Sequence, residues 1–228
     1  MLKIDRKDIY HDNYGWLDTY HHFSFADYYD PDNMNFGDIR VINDDIIKSG
    51  MGFETHPHRD MEIITYIIEG ELTHGDSMEN KRSIGEGFIQ YMSAGTGVYH
   101  SEHNYGDKEL RLLQIWITPD KKGYEPKYGD YEYGVEKRKN NFLHLVSGMK
   151  GDALIRINQD ADIFVGEFDK DALYNIPKGK KIYGIVIEGK AKINGELLKT
   201  RDAFKIEEED IQLKVNNRAH IIIFQTNK

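Results

Sequence analysis

Cysteine is absent from all 228 residues. That excludes a disulfide scaffold, a zinc finger, an iron–sulfur cluster and a cysteine nucleophile. Long apolar runs are also missing: no stretch approaches the roughly 18 residues needed to span a membrane. The opening MLKIDRKDIYHDNYG is polar and has no apolar core of the kind a secretory signal needs, so a cytoplasmic protein is the expectation. Nor is there an excess of positive charge. Thirty basic residues stand against 39 acidic ones, a net of −9, which argues against a dedicated nucleic-acid binder while leaving room for a basic protein partner. No P-loop, dinucleotide fingerprint or serine-centred nucleophile elbow is present.

What is there reads as β structure. Between Met51 and Thr118, short runs such as EIITYIIEG, GEGFIQYMSAG and LRLLQIWIT are separated by Gly and Asn/Asp signals, and no helical periodicity competes with them. Short strands with glycine turns predict a barrel or sandwich. Residues 119–141 are polar, tyrosine-rich and contain Pro119 and Pro126, which reads as a linker or long surface connection. β-type runs then resume from FLHLVSG to HIIIFQT.

A weak repeat links the halves: ITYIIEGEL at 64–72 resembles YGIVIEGKA at 183–191. The length suits one large β domain or two small ones. The repeat favours two: 1–120, a connecting segment 121–141, and 142–228. IPKGKK precedes the second copy and His220 follows it alone, so only the first domain is expected to keep a metal site.

Five of the ten histidines fall between positions 56 and 103. His56 and His58 flank Pro57, which cannot donate to a β ladder and suits an edge strand or strand entry. His100 and Glu102 follow the glycine-rich SAGTGVY. Members of each pair lie two residues apart, so on a strand they share a face. If the strands are neighbours, His56, His58, His100 and Glu102 converge on one metal. Three imidazoles and a carboxylate suit a first-row transition ion with positions left open. His103, of opposite parity, is expected to face solvent or make a core hydrogen bond. Glu62 has the parity of the histidine pair and is a candidate for the shell around the metal, or else pairs with Arg59 or Lys81. His74 fits a turn hydrogen bond as well as a site role. His21 and His22, in TYHHFSF, read as packing residues, and IEEED at 206–210 as a solvated turn.

The segment GFETHPHRDMEIITYIIEGELTHGDSMENKRSIGEGFIQYMSAGTGVYHSEHN resembles the signature of the pirin family, within the cupin superfamily. FSFADYYDP, MNFGDIRVINDD and LLQIWITP extend the likeness across most of the chain, and the second half matches more loosely. The resemblance implies an all-β bicupin, two jelly-roll barrels with one metal in the first. It implies His56, His58, His100 and Glu102 as ligands, with Glu62, where other cupins take their carboxylate, outside them. Fe(II) is the metal it implies, although Mn, Co, Ni, Cu or Zn suit the same donors. Bacterial pirins resemble quercetin 2,3-dioxygenases, which implies a flavonol-like substrate and O2, ring opening with loss of carbon monoxide, and Glu102 as the base for the substrate hydroxyl. A monomer is expected. The alternative is a non-enzymatic iron and redox sensor that binds a protein partner, as animal members resemble. A structural or vestigial metal is the third reading.

Overall fold

The computed structural model describes residues 1–207 and 209–227; Glu208 of the IEEED segment lies outside them. The described residues form strands throughout, with two single 3-10 turns and no helix long and apolar enough to cross a membrane. This is the all-β architecture expected. The chain divides into two compact units.

The first unit comprises residues 10–133 and 157–159. Its seven-stranded antiparallel sheet runs, in spatial order, Lys127–Glu132, Phe88–Ser93, Glu62–Glu69, Leu110–Ile117, Ile39–Ile47, Leu17–His21, Tyr10–Asn13. A four-stranded sheet has the order Gly52–His58, Val98–His103, Glu71–Asp76, Lys81–Gly85. EIITYIIE is buried along almost its whole length because it lies mid-sheet with both faces covered. Ile47, Ile67, Leu72, Ile84, Leu110 and Leu112 fill one end of the interior, while Ile63, Met92 and Val98 form a smaller cluster with Trp116 and Tyr128 packed on it.

The second unit comprises 1–9, 134–156 and 160–228. Its core is built from Ile182, Val186, Phe204, Leu213, Ile221 and Ile223, among others. The repeat is visible in its backbone: Gly70 and Gly189, which close the two Glu-Gly copies, sit at φ +85° and +79°, where a side chain is strained. A Cβ at Gly70 would lie 2.6 Å from the Glu109 carbonyl oxygen.

Two boundaries differ from the sequence reading. Leu2–Ile4 pairs with Ala203–Ile206, so the first nine residues belong to the second unit. Lys127–Glu132, inside the stretch read as a connection, pairs along its whole length with Phe88–Ser93. Among the described residues it stands at the edge of that sheet, and its polar composition hid it.

Candidate metal centre

Three strands of the smaller sheet carry the site. His100 stands directly opposite His56 on one neighbouring strand and Asp76 on the other; Glu102 stands opposite His74. Directly paired residues project from the same face, so these side chains all point inward. Pro57 lies on the edge strand of this sheet, as its missing N–H requires. The pairing slips between His100 and Glu102, so that Glu102 faces Phe53. From His56 to Phe53 is three residues where its partner advances two, so the histidine strand is bulged. The bulge turns Phe53 inward against its parity, which is the usual effect of such an insertion beside a site.

One ring nitrogen from each of His56, His58 and His100 lies within 4.8 Å of the others, and His100 and Glu102 form a second such group with His74. The ring centroids of the triad are 4.5 to 4.8 Å apart. His56 Nδ1 is 2.7 Å from the Glu54 carbonyl oxygen. A carbonyl only accepts, so Nδ1 carries the proton and Nε2 offers its lone pair. A hydrogen bond of this kind sets ligating histidines in orientation. Both nitrogens of His100 are buried without a hydrogen-bond partner, an arrangement that a cation resolves for one of them. Burial, with the neighbouring imidazoles adding to it, holds His58 down to about 4 and His100 to about 3. Both rings are therefore neutral donors at physiological pH. The donor set fits a divalent transition metal.

Among the described residues, Glu102, 2% exposed, is held by neutral donors. Gln114 Nε2 donates to Oε2 at 2.7 Å, Gln90 Nε2 to Oε1 at 2.9 Å, and the Thr65 hydroxyl to Oε1 at 3.2 Å. Gln90, Thr65, Gln114, Asn43 and His21 are register partners across five strands of the larger sheet. They form one buried polar row. Spacing along the chain gave no sign of it, because it exists only through pairing register.

The cavity in front of the ring nitrogens is about 70 Å³, lined by the triad, Glu102, Gln114, Asn43 and Asp45 and walled by Phe25, Phe53 and Trp116. It is far smaller than the roughly 300–1,000 Å³ that encloses a drug-sized ligand.

Glu62 requires a correction. The histidine strand ends at His58, and Asp60 takes a left-handed φ of +49° before Glu62 opens a strand of the other sheet. Parity does not carry across that turn. The carboxylate instead accepts from the Tyr91 and Ser93 hydroxyls, each at 2.6 Å, and from the Asn158 backbone and side chain at 3.1 and 3.2 Å. Burial beside this carboxylate drives the Tyr91 hydroxyl well above its ordinary range.

His103 stacks on Tyr105 with its Nε2 3.9 Å from Glu54, away from the triad. His21 and His22 are buried, His21 between the rings of Tyr10 and Phe25, as packing predicts. His74 is fully buried, stacked on Tyr128 and bonded to Asp76.

A family model described as Pirin matches residues 4–117, and one described as Quercetinase C-terminal cupin domain matches 143–225. The chain is 40% identical to quercetin 2,3-dioxygenase of Escherichia coli strain K12 over 218 residues, covering 94% of this chain and 93% of that one. It is 40% identical over 202 residues to a pirin-like protein of Caulobacter vibrioides, covering 87% of each. The crystal structure of the bacterial pirin YhhW from Escherichia coli in complex with nickel(II) superposes with a TM-score of 0.92 at 36% identity, covering 99% of this chain and 98% of that one.

Proposed function

The chain belongs to the pirin family, and on that premise we propose that it is a metal-dependent dioxygenase cleaving a flavonol or related enol. Both of its units are cupin domains. The relatives' names support the reaction class. The observation that carries the reading is the convergence of His56, His58, His100 and Glu102 on one small cavity with aromatic walls. In this reading those four residues hold the ion, with Fe(II) as the native metal.

A bound Fe(II) would supply Lewis acidity toward an enol oxygen and the one-electron chemistry that dioxygen requires. The protein's part lies in its side chains. Three imidazoles present ring nitrogens from an edge strand and its neighbour. Phe25, Phe53 and Trp116 exclude water, which strengthens every electrostatic contact inside. Glu102 accepts the proton of the substrate hydroxyl at a carboxylate oxygen. Its three hydrogen-bond donors are neutral side chains, so its negative charge is left for the ion it would help hold and for the substrate proton. Only the reacting edge of a flavonol enters a cavity this narrow; the rest of the molecule stays outside it.

The test is protein loaded anaerobically with Fe(II), then mixed with flavonol and O2. Loss of flavonol absorbance with matching O2 uptake and carbon monoxide release is expected, and Glu102→Gln should abolish it. If no metal restores turnover, or if Glu102→Gln turns over at the wild-type rate, the reading fails.

A further inference from the structure

Behind His100 lies a buried pair that the chemistry above does not use. The strand Val98–His103 has the His56/His58 strand on one side and Glu71–Asp76 on the other, so His74 and Asp76 approach His100 from the flank opposite His56. His74 Nε2 is 3.0 Å from Asp76 Oδ2, and both side chains are wholly enclosed. Asp76 also accepts from the Asn80 side chain and from the Met78 and Asn80 amides. These N–H groups only donate, and they reach both carboxylate oxygens. Asp76 is therefore an acceptor, and His74 Nε2 carries a proton. That leaves a lone pair on His74 Nδ1, which is buried without a partner.

His100 presents the complementary problem. If one of its nitrogens meets the ion, the other is a protonated donor, buried and unpaired. One nitrogen of His74 and one of His100 lie within 4.8 Å, with ring centroids 5.4 Å apart. A modest ring rotation or one bridging water closes that gap.

We propose that His74 and Asp76 are positioning residues for the metal: the far nitrogen of His100 donates to His74 Nδ1, and His74 Nε2 donates to Asp76. This rests on the metal reading above. The chain passes the Asp76 negative charge toward the ion through two imidazoles. It makes His100 a stronger donor and favours the more oxidised metal.

The experiment measures Fe(II) affinity by chelator competition and the Fe(III)/Fe(II) midpoint potential in wild type, His74→Phe, Asp76→Asn and Thr73→Val. Phenylalanine keeps the stacking on Tyr128 and removes the nitrogens. Asparagine keeps Oδ1 for the 76–80 turn and puts a donor where His74 needs an acceptor. Thr73→Val removes the hydroxyl that bonds Ser83 from the opposite face of the His74 strand and leaves the relay's own hydrogen bonds in place. His74→Phe and Asp76→Asn should each weaken iron binding about 10- to 100-fold and raise the potential, while Thr73→Val lowers apo-protein stability and leaves both values in place. Wild-type affinity and potential in His74→Phe, or in Asp76→Asn should the first fail to fold, would overturn the proposal. So would equal changes in Thr73→Val. A wild-type protein that takes up no iron sinks the metal reading itself, which is a separable outcome.

Discussion

Gln114 donates its side-chain amide to Glu102 Oε2 over 2.7 Å, reaching from the larger sheet to the carboxylate on the smaller one. With Gln90 on the other oxygen, it fixes a buried carboxylate without neutralising it. An arginine in either place would form an ion pair and compete with a metal for the charge. Replacing Gln114 with leucine should cost about 1–3 kcal/mol of stability, the usual penalty for a buried acceptor left unpaired. It should also weaken metal binding about 10- to 100-fold. Thermal unfolding and chelator competition read the two effects, and unchanged metal affinity would contradict the role given to this bond.

Glu62 answers to different partners, so its replacement separates the two carboxylates. Glu62→Gln turns one oxygen into a donor facing groups that all donate: Tyr91, Ser93 and Asn158. Destabilisation of about 1–3 kcal/mol is expected, with metal content per folded molecule unchanged. Loss of metal from well-folded Glu62→Gln protein would return Glu62 to the metal's surroundings.

Acid should unfold the metal-free protein in part through its histidines. Unfolded imidazoles take up protons near pH 6.5, whereas burial holds His58 to about 4 and His100 to about 3 in the folded chain. Between those values the unfolded state binds more protons, so stability rises with pH. The contribution is complete above about 6.5 and is lost as pH falls toward 4 and 3. Melting temperatures of apo-protein across this interval should fall more steeply for wild type than for His100→Leu. Parallel curves would contradict the assignment.

A metal that binds only the folded state stabilises it by mass action, by about 2.7 kcal/mol at a hundredfold excess over the dissociation constant. Adding Fe(II) or Ni(II) should raise the melting temperature of the wild-type protein, and chelator should reverse the rise without loss of β structure. The strands are held by clusters such as Ile67, Leu72 and Leu110, none of which is a metal donor. Unfolding on chelation would favour a purely structural metal.

The parts of this site that a strand alone determines were legible in the sequence. His56 with His58, and His100 with Glu102, share a face by simple alternation, and Pro57 marks an edge. Parity failed where the backbone broke it. The turn at Asp60 separates Glu62 from the histidine strand, and the bulge brings Phe53 inward against alternation. Whatever depends on which strands are neighbours was out of reach: His74 opposite Glu102, and the polar row from Gln90 to His21. The two domains were legible through their Glu-Gly repeat. The placement of residues 1–9 with the second unit was not, because LKI is three residues long and finds its partner two hundred positions away.

Anomalous diffraction from crystals of iron-loaded protein, collected on either side of the iron absorption edge, locates the metal directly. The account predicts one strong peak, in the first domain, bounded by His56, His58, His100 and Glu102, with His74 beyond bonding distance of the ion. A peak at any other set of side chains, or no peak in protein that elemental analysis shows to be loaded, would contradict it.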